Sequence, residues 1–305
     1  MRLLLTGAFK YNEEQIRSIK SLGYEIIFIQ DERLPLQMDL SSIDAVVCNS
    51  LFLYHDIRRF KKLEFIQLTS AGLDRVPLDY IKRKGIILHS AKGVYSIPMA
   101  EWVILKILEI YKNSKQFYEA QRVQKWEKHR DLLELTEKTI AIIGFGDVGK
   151  EIATRLMPFN VKLIGVGRRE LNSSILNEYY LINNLDIVLN KSDIVILTIP
   201  HTNETNYLID AKRLKNMKDT SILINVSRGG VIHEPSLIEF LKKGKFLGVA
   251  LDVFEEEPLS KENPLWSFNR LLITPHNSFV SNKVNDRLFK LITSNLKENL
   301  NKDNF

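Results

Sequence analysis

The amino-acid sequence predicts an α/β protein that contains two doubly wound parallel-sheet domains. Two series of short, β-rich apolar segments alternate with amphipathic segments, which is the pattern of successive β–α–β units. A polar stretch over residues 112–137 separates the two series, and no Gly/Ser-rich linker or internal repeat interrupts them. The chain has 305 residues, of which 45% are hydrophobic, and this is enough to build two hydrophobic cores.

The first series opens the chain. Its β-rich runs predict strands over Arg2–Thr6, Tyr24–Gln30, Ala45–Asn49, Phe65–Thr69 and Gly85–His89. Amphipathic spacing predicts helices over Asn12–Leu22 and Leu78–Lys84. Strands that alternate with helices favour a parallel sheet, because a parallel connection needs a crossover segment.

A longer helix is predicted to begin near Ile97 and Pro98, because proline is suited to the first turn of a helix. Ala100–Tyr111 is apolar at most positions, so this helix is expected to be buried between domains or subunits. The polar segment after it is interpreted as a connecting arm that is helical in part. The apolar helix and its arm together predict a two-fold homodimer.

The second series supplies the remaining predicted strands, over Thr139–Gly144, Val161–Val166, Ile194–Ile199, Ser221–Val226, Phe246–Asp252 and Leu271–Thr274. The tail Asn282–Leu300 has apolar residues at helical spacing, and it is predicted to cross back to the first domain. The two domains are therefore expected to be joined by helices.

Charge and cysteine content exclude several classes of protein. The net charge is +6, but basic residues are interleaved with acidic ones, so no nucleic-acid partner is predicted. Cys48 is the single cysteine, which rules out an internal disulfide and a cysteine-based zinc site, and no metal is predicted. Every apolar run is far shorter than the ~20 residues that span a bilayer. A cytoplasmic protein without a membrane partner is expected.

A glycine motif follows the first strand of the second series. The strand runs directly into Gly144-Phe145-Gly146-Asp147-Val148-Gly149, and a helix is predicted over Lys150–Leu156. This spacing between a buried strand and a helix is typical of dinucleotide binding, because the glycines allow the turn, the approach of a pyrophosphate and close helix packing. Backbone N–H groups at the helix N-terminus are then directed at the phosphates. The alternative is a glycine-rich turn without a ligand.

The end of the next strand predicts which dinucleotide is preferred. An NAD site places a carboxylate about 20 residues after the glycines, where it accepts hydrogen bonds from the ribose hydroxyls. Gly167 occupies that place, and Arg168 and Arg169 follow it. Two guanidinium groups suit a 2′-phosphate, so NADP(H) is predicted to be preferred over NAD(H). The alternative is that Glu170 acts as the acid and the two arginines are solvated.

Three residues at the ends of predicted strands carry the chemistry. Arg228, Glu257 and His276 follow separate apolar runs, and the carboxyl ends of parallel strands gather along one edge of a sheet. A guanidinium can bind a carboxylate through two hydrogen bonds, an imidazole can donate a proton, and a nearby carboxylate favours the protonated imidazole. These groups together suit reduction of a 2-keto acid. The alternative for His276 alone is a buried structural histidine.

Taken in order, these motifs resemble the D-isomer-specific 2-hydroxyacid dehydrogenases, in particular their NADP-preferring glyoxylate/hydroxypyruvate reductase-like branch. The segments that carry the resemblance are Leu68–Asp74, Ser96–Glu101, Leu197–Thr205, Asn225–Gly230, Ala250–Pro258 and Thr274–His276. The resemblance implies a Rossmann cofactor domain at 96–282. It further implies that this domain is inserted in a flavodoxin-like substrate domain formed by 1–95 and 283–305.

The resemblance also implies roles for individual residues. Arg228 would hold the substrate carboxylate and carbonyl, and His276 would be the general acid during reduction, with Glu257 as its partner. The backbone amides of Ala71 and Gly72 would assist with the substrate carboxylate. Asp252 would hydrogen-bond the nicotinamide carboxamide. Further cofactor contacts are implied at Pro200, Thr205, Val226 and Ser227.

The predicted function is reduction of a small 2-keto acid to the D-2-hydroxy acid with NADPH. Glyoxylate and hydroxypyruvate are the leading substrates, and a branched or aromatic keto acid remains open, because Asn277–Ser281 departs from the small apolar residues that the family often has after the histidine. The loop Asn49–Tyr54 and Trp266 either line the pocket or belong to the core. The alternative function is an NADP(H)-binding regulatory or corepressor-like protein with little turnover.

Overall fold

The computed structural model describes residues 1–301, so residues 302–305 of the predicted first domain lie outside the described part. The chain forms two compact units. One unit contains Met1–Tyr95 and the segment that begins at Ser281, and the other is Ser96–Val280.

The first unit has a parallel sheet in the order β2-β1-β3-β4-β5. Its strands are β1 Arg2–Thr6, β2 Glu25–Ile29, β3 Ala45–Cys48, β4 Phe65–Leu68 and β5 Ile87–His89. Its helices are α1 Glu13–Ser21, α2 Leu51–Tyr54, α3 Leu78–Lys84 and α10 Val284–Asn301. Helix α10 buries Val284, Leu288, Ile292 and Leu296 against the core of this unit, and the Tyr24 hydroxyl donates to the Leu296 carbonyl oxygen at 2.9 Å.

The second unit has a parallel sheet in the order β12-β11-β10-β9-β6-β7-β8. Its strands are β6 Thr139–Ile143, β7 Lys162–Gly167, β8 Glu178–Leu181, β9 Ile194–Leu197, β10 Ile222–Asn225, β11 Gly248–Leu251 and β12 Leu271–Ile273. Its helices are α4 Ser96–Tyr111, α5 Ser114–Arg122, α6 Asp147–Leu156, α7 Leu185–Lys191, α8 Ala211–Asn216 and α9 Glu234–Lys242. The central strands β9, β10 and β11 are buried at every position, which explains their unbroken apolar sequences.

The strand order of the second sheet reverses at β6, which has β7 on one side and β9 on the other. In open α/β sheets, ligands bind outside the carboxyl ends of the strands at such a reversal. The glycine motif lies there, because it directly follows β6.

The structure confirms the predicted fold class and corrects several local predictions. Residues 51–54, read as loop, form helix α2. Strand β8 was missed, because Glu178–Leu181 lies at the sheet edge, where each residue is at least partly exposed and the apolar signal is weak. Apolar helix α4 packs against α6 of its own unit, so its burial does not require a second subunit.

None of the helices within residues 1–301 combines the length and the apolar character that crossing a membrane requires.

Candidate active site

The glycine motif forms a tight turn between β6 and α6. Gly144 has a φ of +100°, and a Cβ atom there would lie 2.9 Å from the backbone N of Ile199. A Cβ atom at Gly149 would lie 2.5 Å from the carbonyl oxygen of Gly144. The first glycine therefore permits the turn, and both permit β6, α6 and the end of β9 to pack at backbone distance.

The middle of the motif is open. Apart from the neighbouring residues and the backbone of its own helix, no heavy atom of residues 1–301 lies within 4 Å of the position that a Cβ atom at Gly146 would take. Gly146 is the N-cap of α6, and no side chain caps the helix there. Asp147 and Val148 form its first turn, so their N–H groups are placed to meet an approaching anion. This opening fits the pyrophosphate of a dinucleotide.

The end of β7 has no carboxylate. A Cβ atom at Gly167 would overlap the hydroxyl oxygen of Tyr179 on β8. That hydroxyl donates to the carbonyl oxygen of Arg169 at 2.8 Å. The side chains of Arg168, Arg169 and Glu170 are exposed. Sequence reasoning missed Tyr179 because it missed β8, although the pattern Gly-Val-Gly at the end of β7 was a sign of close packing from a neighbour.

Two loops beyond the glycine turn enclose the other predicted cofactor contacts. The Thr205 hydroxyl donates to the Pro200 carbonyl oxygen at 2.7 Å and accepts from the Thr202 backbone N–H at 2.7 Å. Val226 and Ser227, directly after β10, are buried. All four residues therefore follow the carboxyl ends of β9 and β10, beside the glycine turn.

The predicted acid and its partner are in contact. His276 Nδ1 lies 2.8 Å from Glu257 Oε2, and each side chain is 35% exposed. The second carboxylate oxygen of Glu257 accepts from the Phe254 backbone N–H at 3.0 Å, which fixes the orientation of the carboxylate. This leaves Nε2 as the imidazole atom that can face a substrate.

Asp252 organises the loop that carries His276. It is 1% exposed, and its Oδ1 accepts from the Thr274 hydroxyl at 2.5 Å and from the Asn277 N–H at 2.8 Å. Both carboxylate oxygens accept from the Ser278 N–H, at 3.1 and 3.0 Å. The Asp252 carbonyl oxygen accepts from the His276 N–H at 2.8 Å. These bonds surround His276, whose φ of +49° needs such support because a side chain with a Cβ atom disfavours that region.

Arg228 follows β10, the strand next to β11. Its Nη1 donates to the Ser227 carbonyl oxygen at 2.8 Å, and its own carbonyl oxygen accepts from Asn225 Nδ2 at 2.9 Å. A Cβ atom at Gly229 would overlap the Phe254 carbonyl group, so the loops after β10 and β11 touch at backbone distance. The carboxyl ends of β10, β11 and β12 thus bring Arg228, Glu257 and His276 to one edge of the sheet.

Glu234 and Glu255 hold the loop after β11 through a reciprocal pair of hydrogen bonds. The Glu234 N–H donates to Glu255 Oε1 at 2.7 Å, and the Glu255 N–H donates to Glu234 Oε1 at 2.5 Å. Burial raises the pKa of Glu234, and the charges of Glu255 and Glu257 raise it further. Sequence reasoning did not find this pair, because its two members are 21 residues apart and neither lies in the strand-end pattern.

In the first unit, Ala71 and Gly72 follow β4. Ala71 is exposed, and the Gly72 carbonyl oxygen accepts from the Ser70 hydroxyl at 3.0 Å. Phe52 packs edge-on against Phe60, with ring centroids 5.5 Å apart, so this aromatic residue belongs to the core. In the second unit, half-exposed Trp266 donates from Nε1 to the Ser260 carbonyl oxygen at 2.9 Å.

Comparison with known proteins identifies the family of this chain. The family model of the D-isomer specific 2-hydroxyacid dehydrogenase NAD binding domain matches residues 104–278, which is more than half of the chain. The glyoxylate reductase of Thermofilum pendens is 34% identical over 242 residues, with 77% of this chain and 71% of the relative covered. The hydroxypyruvate reductase of Thermotoga maritima is 32% identical over 219 residues, with 71% of each chain covered.

A solved structure shows the same architecture over nearly the whole chain. The D-isomer specific 2-hydroxyacid dehydrogenase family protein of Aeromonas salmonicida has a TM-score of 0.84 and 28% sequence identity, covering 99% of this chain and 96% of that one. The chain belongs to the D-isomer specific 2-hydroxyacid dehydrogenase family. The predicted family, its similarity to glyoxylate and hydroxypyruvate reductases and the enzyme class are confirmed: the protein is an NAD(P)-dependent 2-hydroxyacid dehydrogenase.

Proposed function

We propose that this protein reduces a small 2-keto acid to the D-2-hydroxy acid with NADPH. The observation that carries the proposal is the 2.8 Å contact between His276 and Glu257, on the sheet edge where the neighbouring strand presents Arg228. These three groups are a proton donor, a carboxylate that orients it and a cation that can bind the substrate carboxylate.

Each member of the trio has a distinct part in the reaction. Bound NADPH supplies the hydride to the keto carbon. His276 Nδ1–H donates to Glu257, so Nε2–H is the group that gives a proton to the keto oxygen as negative charge develops there. Glu257 accepts from the imidazole and holds the ring in one orientation. In the oxidative direction the neutral imidazole takes the same proton back.

Arg228 acts as the substrate anchor. A guanidinium can bind the keto acid carboxylate through two parallel hydrogen bonds, and it adds positive charge close to the developing oxyanion. The backbone amides of Ala71 and Gly72 are the proposed second contact for the carboxylate. Ala71 is exposed at the end of β4, as an amide that meets a ligand must be.

The preference for NADPH rests on the turn after β7. Gly167 supplies no acceptor for a ribose diol, and Arg168 and Arg169 supply charge for a phosphate. The hydrogen bond from Thr202 is the main cause that lowers the pKa of Glu204, in the loop after β9, and the charge of Arg168 makes a smaller contribution.

The test is oxidation of NADPH, followed by absorbance, against a panel of 2-keto acids. Glyoxylate and hydroxypyruvate come first, because the relatives that carry those names are 34% and 32% identical. We expect turnover with at least one small keto acid, a higher kcat/KM with NADPH than with NADH, and a D product by chiral analysis. Tight NADPH binding without turnover on any keto acid would support the regulatory alternative instead.

We also propose a homodimer, for which the exposed surface of the arm is the support. In the arm the side chains of Tyr118, Val123 and Trp126 are exposed, and Trp126 reaches 94%. Apolar side chains at such exposure are typical of a surface that another subunit covers. Light scattering should give twice the chain mass, and a Trp126→Ser variant should weaken the association.

A cytoplasmic location remains a prediction.

A further inference from the structure

One face of β7 is covered by a single side chain, that of Tyr179 on the neighbouring strand β8. Gly165 and Gly167 are two residues apart, so both point to the same face of the strand. Tyr179 pairs with Gly165 in the β7–β8 register, and its ring lies along that face. A Cβ atom at Gly165 would lie 2.9 Å from Tyr179 Cδ2, and one at Gly167 would overlap the Tyr179 hydroxyl. The two glycines therefore make room for this ring.

The hydroxyl of Tyr179 also holds the turn that follows β7. It donates to the Arg169 carbonyl oxygen at 2.8 Å. The phenol of Tyr179 is a protonated donor at neutral pH, because the ordinary pKa of tyrosine is about 10 and burial raises the pKa of Tyr179 further. The bond restrains the backbone of Arg168 and Arg169 while both side chains stay exposed.

We infer that Tyr179 is the residue that determines cofactor specificity in this chain. Its hydroxyl occupies the space of a side chain at residue 167 that would otherwise bind a ribose diol, and the same hydroxyl fixes the arginine turn that would bind a 2′-phosphate. The ligand class is an adenosine nucleotide with a phosphomonoester on its ribose. The inference rests on the proposed use of NADPH and goes beyond it, because it places the determinant on β8 rather than at residue 167 alone.

The inference predicts a dependence between two substitutions. Gly167→Asp alone should lose NADPH affinity without gaining NADH activity, because the new side chain meets the Tyr179 hydroxyl. In Tyr179→Phe the hydroxyl is gone, and the next ring atom, Cζ, lies 3.3 Å from the Cβ position, a contact that requires the ring to shift by only a few tenths of an ångström. The double variant should therefore accept the aspartate. The kcat/KM for NADH divided by the kcat/KM for NADPH should be higher in the double variant than in Tyr179→Phe by a factor on the order of 100, because the carboxylate repels the 2′-phosphate.

Tyr179→Phe by itself isolates the hydrogen bond. It should raise the Kd of the fragment 2′,5′-ADP roughly fivefold, as expected for loss of one hydrogen bond that positions the binding turn. The Kd of 5′-AMP, which has no 2′-phosphate, should stay unchanged. A merely structural role would weaken both fragments equally, and that result would overturn the inference.

Tyr180→Phe is the matched control. Tyr180 is the next residue of β8, and its hydroxyl donates to Glu178 Oε2 at 2.7 Å instead of to the arginine turn. It should leave the ratio of the two fragment affinities unchanged. Equal effects of Tyr179→Phe and Tyr180→Phe on that ratio would overturn the inference. The inference would also be overturned if Gly167→Asp gave the same gain of NADH activity in the unmodified protein and in Tyr179→Phe.

The underlying proposal fails in a different experiment. A preference of the unmodified protein for NADH would overturn the proposed use of NADPH. A preference for NADPH that Tyr179→Phe leaves unaltered would overturn only the role of Tyr179. If Gly167→Asp does not fold alone, the fragment measurements on Tyr179→Phe and Tyr180→Phe still decide the question.

Discussion

In each of the two units, one buried carboxylate holds a loop at the end of a strand. The two carboxylates accept hydrogen bonds from the same kinds of group. Glu32 in the first unit accepts from the Thr6 hydroxyl and from the backbone N–H groups of Asn49 and Ser50 at 2.6–2.7 Å. Asp252 in the second unit accepts from one threonine hydroxyl and two consecutive backbone N–H groups as well. Fixed loops at strand ends therefore depend on buried acids in both units.

The difference lies in what each loop carries. Asp252 fixes the residues that surround His276, the proposed proton donor, whereas Glu32 fixes the start of α2, which carries no group proposed to react. The same hydrogen-bonding device thus serves chemistry in one unit and shape in the other. Substitutions in both units should distinguish the catalytic use of a buried carboxylate from the structural use.

The largest effect is expected where a reacting group itself is removed from the second unit. His276→Ala and Arg228→Ala should each lower kcat/KM about 10³-fold, because a proton donor or a charge at the developing oxyanion is lost. NADPH binding, measured by fluorescence titration, should stay nearly unchanged. His201→Ala is the control, since His201 bonds Asn206 at 2.9 Å and has no proposed role. Near-normal turnover in either variant removes that residue from the mechanism.

Asp252→Asn should come next. An amide cannot accept all the hydrogen bonds that the carboxylate receives from Thr274, Asn277 and Ser278, so the loop around His276 should shift. A small misplacement of a catalytic group can lower kcat about 100-fold. Rate measurements at saturating NADPH and keto acid test this. A loss confined to the Kd of NADPH would instead support the nicotinamide contact that the family resemblance implied.

Glu32→Gln should show the smaller effect expected of a shaping residue. The amide group would face the N–H groups of Asn49 and Ser50 as a donor, so the loop after β3 should loosen. We expect KM for the keto acid to rise about tenfold with kcat within twofold, since only binding is disturbed. A fall in kcat as large as that of Asp252→Asn would break the distinction between the two units.

Half-buried Glu178, on edge strand β8 and away from both loops, is expected to have the smallest effect. Hydrogen bonds from Lys162, Lys191 and Tyr180 lower its pKa to about 2. A depressed carboxylate pKa stabilises the fold above the unfolded value of 4.5, and this contribution is lost as pH falls through about 2. Because the pairs are partly solvent-exposed, Glu178→Gln should lower the free energy of unfolding by no more than about 1 kcal/mol at pH 7. Urea unfolding should show this difference vanish near pH 2.

Prediction from sequence succeeded where the signal was local. The turn after β6 follows from the spacing of three glycines, and the central strands of both sheets follow from apolar runs that are buried on both faces. The approach of His276 to Glu257 was also predicted, because strand ends in a parallel sheet share an edge. Residues 51–54 and β8 were missed, since a four-residue helix and a partly exposed edge strand leave little periodic pattern.

The sequence by itself determined the fold class and the glycine turn, and it singled out His276, Glu257 and Arg228 as the proposed proton donor, its partner and the substrate anchor, because each signal lies within a few consecutive residues. Only the tertiary structure decided what holds them in place. Asp252 under the His276 loop, Glu234 against Glu255 and Tyr179 over Gly167 each join segments 12 or more residues apart. The sequence does not state which distant residue hydrogen-bonds a buried carboxylate or fills the space next to a glycine. Many residues have the same local conformational propensity, and tertiary packing selects the partner from among them.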